Sequence, residues 1–142
     1  MTTTATVAEF VAVVRSFVGT RYQHRGRLPG IGLDCVGIPI VGLARVGLVV
    51  QEPPPYGMIP SGLIDGVNGL ATYCDKVEVP QVGDIEAIMW GREPRHCAIV
   101  IDVRRDGCVW IVHARARNGQ VSCEPLTRDY CVHSHWRVRG LG

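Results

Sequence analysis

The chain has 142 residues, of which 46% are hydrophobic and 20% charged, so we expect one folded domain over residues 1–142 rather than a disordered chain. Fifteen Lys and Arg residues against thirteen Asp and Glu residues give a net charge of +2, too balanced to indicate a nucleic-acid-binding protein. No segment reaches the roughly 18 consecutive apolar residues of a membrane helix, and no basic region precedes the apolar N-terminal residues. We therefore expect synthesis in the cytoplasm without a signal peptide, and no membrane insertion.

The first predicted helix covers about residues 6–18. Thr6 and Glu9 form a capping-box pattern, and the apolar residues that follow recur at the spacing of one helical face. Gly19 is a helix-stop signal. Residues 21–33 are rich in glycine and arginine and are predicted to form a loop.

Two further helices are predicted in the first half of the chain. The second covers about residues 34–46, and Pro39 is compatible with its first turn, where backbone N–H groups lack intrahelical acceptors. Residues 51–60 contain four prolines and are predicted to be irregular. Ser61 then caps a short amphipathic helix. The apolar face of that helix is formed by Leu63, Ile64, Val67 and Leu70.

From Val77 onward the pattern is typical of β-strands. Hairpin turns are predicted at Asp106-Gly107 and at Asn118-Gly119. The predicted strands cover residues 84–89, 97–103, 109–114, 121–124 and 136–139. Helices followed by an antiparallel meander predict an α+β fold.

Cys35 is the candidate nucleophile. It follows a glycine-rich loop at the predicted start of a helix, where the helix dipole and unpaired N–H groups favour a thiolate. The same N–H groups can hold the oxyanion of a tetrahedral intermediate. A core cysteine at a helix start is the alternative, so the assignment depends on partner residues.

His96 and His113 are the candidate partners. His96 opens one predicted strand and His113 lies near the end of the next. The turn between these strands pairs them antiparallel and places the two histidines within a residue or two of register. A cysteine nucleophile needs a base and the base needs an orienting group, so the pattern favours a Cys–His–His set over two unrelated strand histidines.

Four segments, in this order, resemble the NlpC/P60 family of cysteine peptidases. Its Gly-Thr-x-Tyr and Asp-Cys-Ser-Gly pieces, its Pro-Gly-Asp-Leu strand entry, its His-Val-Gly-Ile-Tyr-Ile strand and its Ile-His-Ala strand all have counterparts here. The counterparts are Gly19-Thr-Arg-Tyr22 with Gly32-Leu-Asp-Cys35-Val-Gly37, Gln81-Val-Gly-Asp84-Ile, His96-Cys-Ala-Ile-Val-Ile and Ile111-Val-His113-Ala. The similarity covers residues 7–126.

The resemblance implies a papain-like α+β fold with N-terminal helices packed on an antiparallel β-sheet or barrel. It implies Cys35 as nucleophile, His96 as base and His113 as the group that orients the base. Tyr22 matches a tyrosine beside the nucleophile and Asp34 the aspartate before it, so both are expected to support substrate or oxyanion binding. The family chemistry requires no metal and no cofactor.

The resemblance also implies a function. Family members mostly cut the amide bond between D-glutamate and a diamino acid in peptidoglycan stem peptides. The spacing of residues 25–35 is similar to that of phage, prophage and gene-transfer-agent peptidases, which open the cell wall locally as tail-tip components. We therefore expect peptidoglycan as substrate, tail hub or baseplate proteins as partners, and delivery to the target cell envelope by a virion-like particle.

Two other functions are compatible with the same fold. One is a structural tail-tip or baseplate protein with little or no activity, against which the intact Cys35, His96 and His113 set argues. The other is an acyltransferase or amidase of the same superfamily. Its lipid-acting branch usually places histidine before cysteine in the chain, whereas here cysteine comes first.

Several other polar side chains have two interpretations each. A Zn²⁺ site is conceivable at Cys131, His133 and His135, because a strand directs residues at spacing two to one face. The loop arginines either line a cleft and meet substrate carboxylates or are solvated. Those arginines are Arg21, Arg25 and Arg27. We expect Arg115 and Glu86 to be solvated.

Overall fold

In the computed structural model, which describes residues 5–142, the first helix, α1 (Val7–Ser16), begins at the predicted cap. The Glu9 amide donates to Thr6 Oγ1 at 3.1 Å, and Gly19 follows with a φ of +93°. The helix prediction is therefore confirmed, with an end at Ser16 rather than residue 18. Residues 1–4 of the predicted domain lie outside the described residues.

Helix α2 (Gly37–Arg45) begins three residues later than predicted, so Cys35 lies in the turn that leads into it. Val36 already has helical dihedral angles, with φ −75° and ψ −33°. Helices α1 and α2 pack against each other. Their approach at Gly42 is close, because a Cβ there would lie 3.0 Å from the Phe10 ring.

The predicted amphipathic helix after Ser61 is wrong. Residues 63–68 form successive turns, and the helix that follows them is the single turn α3 (Leu70–Tyr73). Gly62 and Asn68 have φ values of +72° and +58°. Left-handed residues interrupt the right-handed backbone, so the apolar spacing cannot be realised as a helix. Residues 51–60 are irregular, as predicted.

A two-strand hairpin and a six-stranded antiparallel sheet complete the fold. The hairpin, β1 (Arg27–Leu28) with β2 (Gly32–Leu33), lies within the predicted loop. The sheet consists of β3 (Cys74–Val77), β4 (Ile85–Trp90), β5 (Glu93–Val103), β6 (Val109–Ala114), β7 (Val121–Pro125) and β8 (Val132–Val138). Its strand order is β3-β8-β4-β5-β6-β7, so β4 to β7 form the predicted meander. The edge strands β3 and β7 do not pair within residues 5–142, so the sheet is not a closed barrel.

Two strands are longer than predicted, and one was not predicted. Strand β5 begins at Glu93 because Gly91, with a φ of +68°, makes a tight turn from β4; His96 therefore lies inside the strand rather than at its start. Strand β8 begins at Val132, and β3 pairs with it as the unpredicted edge strand. Both hairpin turns are confirmed by positive φ values at their glycines.

The sheet is buried on both faces. Helices α1 and α2 pack on one face, in the core that contains Phe10, Leu43 and Ile99. The other face carries a small cluster around Ile111, which residues of the β7–β8 connection cover.

All six cysteines are free thiols. Three of them, Cys35, Cys74 and Cys97, are buried, and the other three are partly or fully exposed. None of the helices in residues 5–142 has the length and apolar character needed to cross a membrane.

Candidate active site

Cys35, in the turn before α2, borders a cleft that is also lined by residues of β4, of β5 and of the chain after β6. Cys35 is buried, with 9% of its surface exposed to solvent. The Cys97 thiol on β5 donates to the Cys35 carbonyl oxygen, with a sulfur–oxygen distance of 3.0 Å. The amide N–H of Cys35 has no hydrogen-bond acceptor among the described residues. This amide is therefore available to an oxygen atom of a ligand.

The environment of Cys35 favours its thiolate. The neighbouring Cys97 thiol holds the pKa of Cys35 well below its ordinary value, and the positive charge of a protonated His96 acts in the same direction. Burial and the nearby Asp34 carboxylate raise the pKa but are outweighed. The pKa of Cys97 is raised, first by the neighbouring Cys35 sulfur and then by burial. The site therefore favours the thiolate form of Cys35 and the protonated form of Cys97.

Asp34 holds the turn that carries Cys35. Its Oδ1 accepts from the Gly37 amide at 2.8 Å and from Arg27 Nη1 at 3.0 Å. Its Oδ2 accepts from the Arg25 amide at 2.8 Å and from the Tyr56 hydroxyl at 2.5 Å. A carboxylate has about four acceptor positions, and all are used by the protein. Asp34 thus supports the nucleophile through the backbone.

Replacing Asp34 by alanine is expected to lower the free energy of unfolding by about 3 kcal/mol. The change leaves the partly buried Arg27 guanidinium without this partner and removes the acceptor of the Gly37 amide. Urea unfolding of both proteins measures the difference. Asp65→Ala, at an exposed aspartate, is the control. A loss no larger than that of the control would contradict the structural part given to Asp34.

His96 and His113 contact each other directly. Nε2 of His96 lies 2.8 Å from Nδ1 of His113, and both rings are buried. The register Ile99↔Val112 places them diagonally across β5 and β6. Their predicted proximity is confirmed. His96 also borders the Cys35 cleft, so the structure brings all three members of the predicted set together.

We did not predict Glu124, on β7, as a residue of the site. Its Oε1 lies 2.7 Å from Nε2 of His113 and also accepts a hydrogen bond from the Tyr130 hydroxyl. The signal was present in the sequence. A hairpin turn at Asn118-Gly119 with a strand at 121–124 places Glu124 within reach of His113.

The walls of the cleft are aromatic and carry one cation. Tyr22, Tyr56 and Trp90 border it together with Arg115. Trp90, His96 and Arg115 also border a second depression, so the two depressions adjoin at these residues. The expectation that Arg115 is merely solvated is therefore wrong.

The loop arginines are not the cations of this cleft. Arg21 and Arg25 expose their side chains to solvent. Arg27 is bound to Asp34 and to Glu52, with Nε 2.8 Å from Glu52 Oε1. The pKa of Arg27 is raised because these hydrogen bonds outweigh the effect of burial.

The side chains considered for Zn²⁺ have other partners. His135 Nδ1 lies 2.5 Å from Glu86 Oε2, and His133 Nδ1 lies 2.8 Å from Ser134 Oγ. Within residues 5–142, no group of three or more His, Cys, Asp or Glu side chains is arranged to hold a metal ion. Glu86 is fully buried, so the expectation of a solvated side chain is wrong, and burial raises its pKa.

A scan against protein-family models finds no match for this chain, and a search of curated proteins finds none either. The residues of the cleft and their geometry are therefore the basis for proposing a function.

Proposed function

We propose that this protein is a cysteine endopeptidase that hydrolyses an amide bond of peptidoglycan stem peptides, between D-glutamate and the diamino acid. The observation that carries the proposal is the cleft in which the Cys35 thiol, of lowered pKa, meets the hydrogen-bonded His96–His113 pair. A buried thiolate, a base and an orienting group in one groove are the components of acyl transfer by a cysteine nucleophile.

In the first step the Cys35 sulfur attacks the carbonyl carbon of the scissile amide, and His96 holds the proton of the thiol. The free N–H of Cys35 donates to the oxyanion that forms on the carbonyl oxygen. His96 then gives the proton to the leaving amine, and the C–N bond breaks. A thioester between Cys35 and the acyl group remains.

In the second step His96 takes a proton from water, and the resulting hydroxide attacks the thioester carbonyl. The C–S bond breaks and Cys35 leaves as the thiolate, so the enzyme returns to its starting state. The reaction consumes one water and yields a carboxylic acid and an amine, and the acid then gives up its proton to the solvent. It requires no metal and no cofactor.

The groove supports an acidic, extended substrate. Arg115 borders both depressions next to His96, and a guanidinium pairs well with a carboxylate. Trp90 is 50% exposed and offers a flat apolar wall to a peptide backbone. Stem peptides carry free carboxylates beside their amide bonds. The choice of the D-glutamyl bond comes from the resemblance of the four segments to NlpC/P60 peptidases.

The proposal includes a place of action, the tip of a phage-like tail, with a tail hub or baseplate protein as partner. Its support is the spacing of residues 25–35, which is similar to that of tail-associated peptidases. Co-sedimentation of the protein with purified tail particles tests this part. Absence of the protein from those particles would contradict it.

Digestion of purified sacculi with diaminopimelate-type stem peptides tests the activity. The reduced protein is expected to release fragments whose new N-terminus is the diamino acid, identified by mass spectrometry. A sample treated with iodoacetamide is the control and is expected to release none. No fragments from the reduced protein, with a chelator present, would contradict the proposal and favour a structural tail-tip protein.

A further inference from the structure

We propose that Glu124 is a positioning residue: its carboxylate fixes the tautomer of His113 and thereby the ring nitrogen that His96 turns toward the nucleophile. The inference rests on the proposed function, in which His96 is the base. It adds a fourth residue behind the Cys–His–His set and assigns the proton positions along the chain of hydrogen bonds.

Each of the two ring nitrogens of His113 has one hydrogen-bond partner. Its Nε2 lies 2.7 Å from Glu124 Oε1, and its Nδ1 lies 2.8 Å from His96 Nε2. An ionised carboxylate only accepts hydrogen bonds, so Nε2 of His113 carries the proton and donates it. A neutral His113 then has a bare Nδ1, which accepts.

The proton assignment passes on to the next ring. Because Nδ1 of His113 accepts, Nε2 of His96 carries a proton and donates. The bare nitrogen of a neutral His96 is then Nδ1, and this nitrogen takes the proton of Cys35. In the opposite tautomer of His113, the lone pair of Nε2 would face the carboxylate, which is repulsive.

The ionisation states agree with this assignment near pH 7. Hydrogen bonds from Tyr130 and His113 lower the pKa of Glu124, although burial raises it. Burial and the charge of His96 lower the pKa of His113 to about 4, although Glu124 acts in the opposite direction. The pair is therefore a carboxylate and a neutral imidazole.

Tyr130 and Arg115 hold the carboxylate in place. The Tyr130 hydroxyl donates to the same Oε1 of Glu124 that His113 contacts. Its ring packs edge-on against the His113 ring, with centroids 5.5 Å apart. Arg115 Nη1 donates to the Tyr130 hydroxyl oxygen at 3.0 Å and lies over the tyrosine ring. The titratable and charged groups around His113 are His96, Glu124, Tyr130 and Arg115.

The Glu124 carboxylate also affects the charge states of His96 and Cys35. When His96 takes the thiol proton, its Nε2–H still donates to His113, whose own Nε2–H is held by Glu124. The negative charge behind the two rings stabilises the imidazolium, and the imidazolium stabilises the thiolate of Cys35. Removal of the charge is therefore expected to make the thiolate harder to form.

Long-range ¹H–¹⁵N NMR of histidine-labelled protein measures the tautomer directly. Wild type is expected to show His113 protonated on Nε2, and Glu124→Ala is expected to show a mixture of tautomers. Glu124→Gln keeps an acceptor oxygen of the same shape, so it is expected to retain the wild-type tautomer; it removes only the charge, and its alkylation midpoint tests the proposal if the alanine variant does not fold. Glu78→Gln, at an exposed glutamate, is the matched control.

Alkylation of Cys35 by iodoacetamide measures the effect of charge. In Glu124→Gln the pH midpoint of alkylation is expected to rise by about 0.5–1 unit, because the opposite charge behind the histidines is lost. Sacculus hydrolysis by Glu124→Ala is expected to fall about 10- to 100-fold, mainly in kcat. A role in folding alone would move neither the midpoint nor the tautomer of a folded variant.

Wild-type His113 protonated on Nδ1, or Glu124 variants whose tautomer and midpoint equal those of Glu78→Gln, would overturn the inference. The NMR and alkylation measurements need no substrate. If wild type cleaves no sacculi while Glu124→Ala shows the tautomer mixture and Glu124→Gln the raised midpoint, the proposed substrate is wrong and the role of Glu124 in the thiol site stands.

Discussion

The Cys35→Ala variant is expected to hydrolyse sacculi at least about 10⁴-fold more slowly than wild type, because loss of a nucleophile removes the acyl-enzyme route entirely. The side chain is small and its turn is held by Asp34 rather than by the thiol. The fold is therefore retained, and the loss falls on kcat. Quantification of released fragments by mass spectrometry gives the rate.

Cys108→Ala is the matched control for this substitution. Cys108 is a free thiol near the β5–β6 turn, away from the cleft, and its replacement is expected to leave the rate within about twofold of wild type. Fragment release by Cys35→Ala at the rate of Cys108→Ala would show that another residue performs the chemistry. The proposed nucleophile would then be wrong.

The second large effect is expected for His96→Ala, which should slow hydrolysis about 10³-fold. The variant loses both the base that takes the thiol proton and the acid that protonates the leaving amine. It also leaves Nδ1 of His113 without its partner. Residual rate in this variant is expected to increase with pH, because hydroxide then generates the thiolate.

His133→Ala is the control, since His133 is exposed on β8 and has no contact with the cleft. Circular dichroism and thermal unfolding of both variants distinguish lost chemistry from lost structure. A folded His96→Ala with a wild-type rate and pH dependence would remove His96 from the mechanism. The Cys–His pair would then have no role in hydrolysis.

Much of this cleft could be predicted from the sequence because its members lie on strongly patterned elements. The alternating strands and the Asp106-Gly107 turn determine the register of β5 on β6, and register alone brings His96 to His113. The glycine-rich loop before Cys35 likewise predicts a cysteine at the start of a helix, and Cys35 lies two residues before α2. Both the strand register and the position of Cys35 depend on residues that are close together in the sequence.

Other parts depend on tertiary contacts that no local pattern records. The apolar spacing around Leu63 predicts a helix, but left-handed Gly62 and Asn68 produce turns instead. The carboxylate of Glu86 looks solvated in an alternating strand and is in fact buried against His135, because β8 packs alongside β4. Arg115 borders the cleft because the chain after β6 passes along it.

The most direct test of the central claim is the pH dependence of Cys35 alkylation in wild-type protein, resolved by peptide mass spectrometry. The exposed thiols of Cys123 and Cys131 serve as internal references in the same sample. Because its thiolate is stabilised, Cys35 is expected to titrate well below both references, and His96→Ala is expected to move its midpoint up toward them. A Cys35 midpoint equal to that of Cys123 and Cys131, unchanged in His96→Ala, would contradict the claim that this thiol is an activated nucleophile.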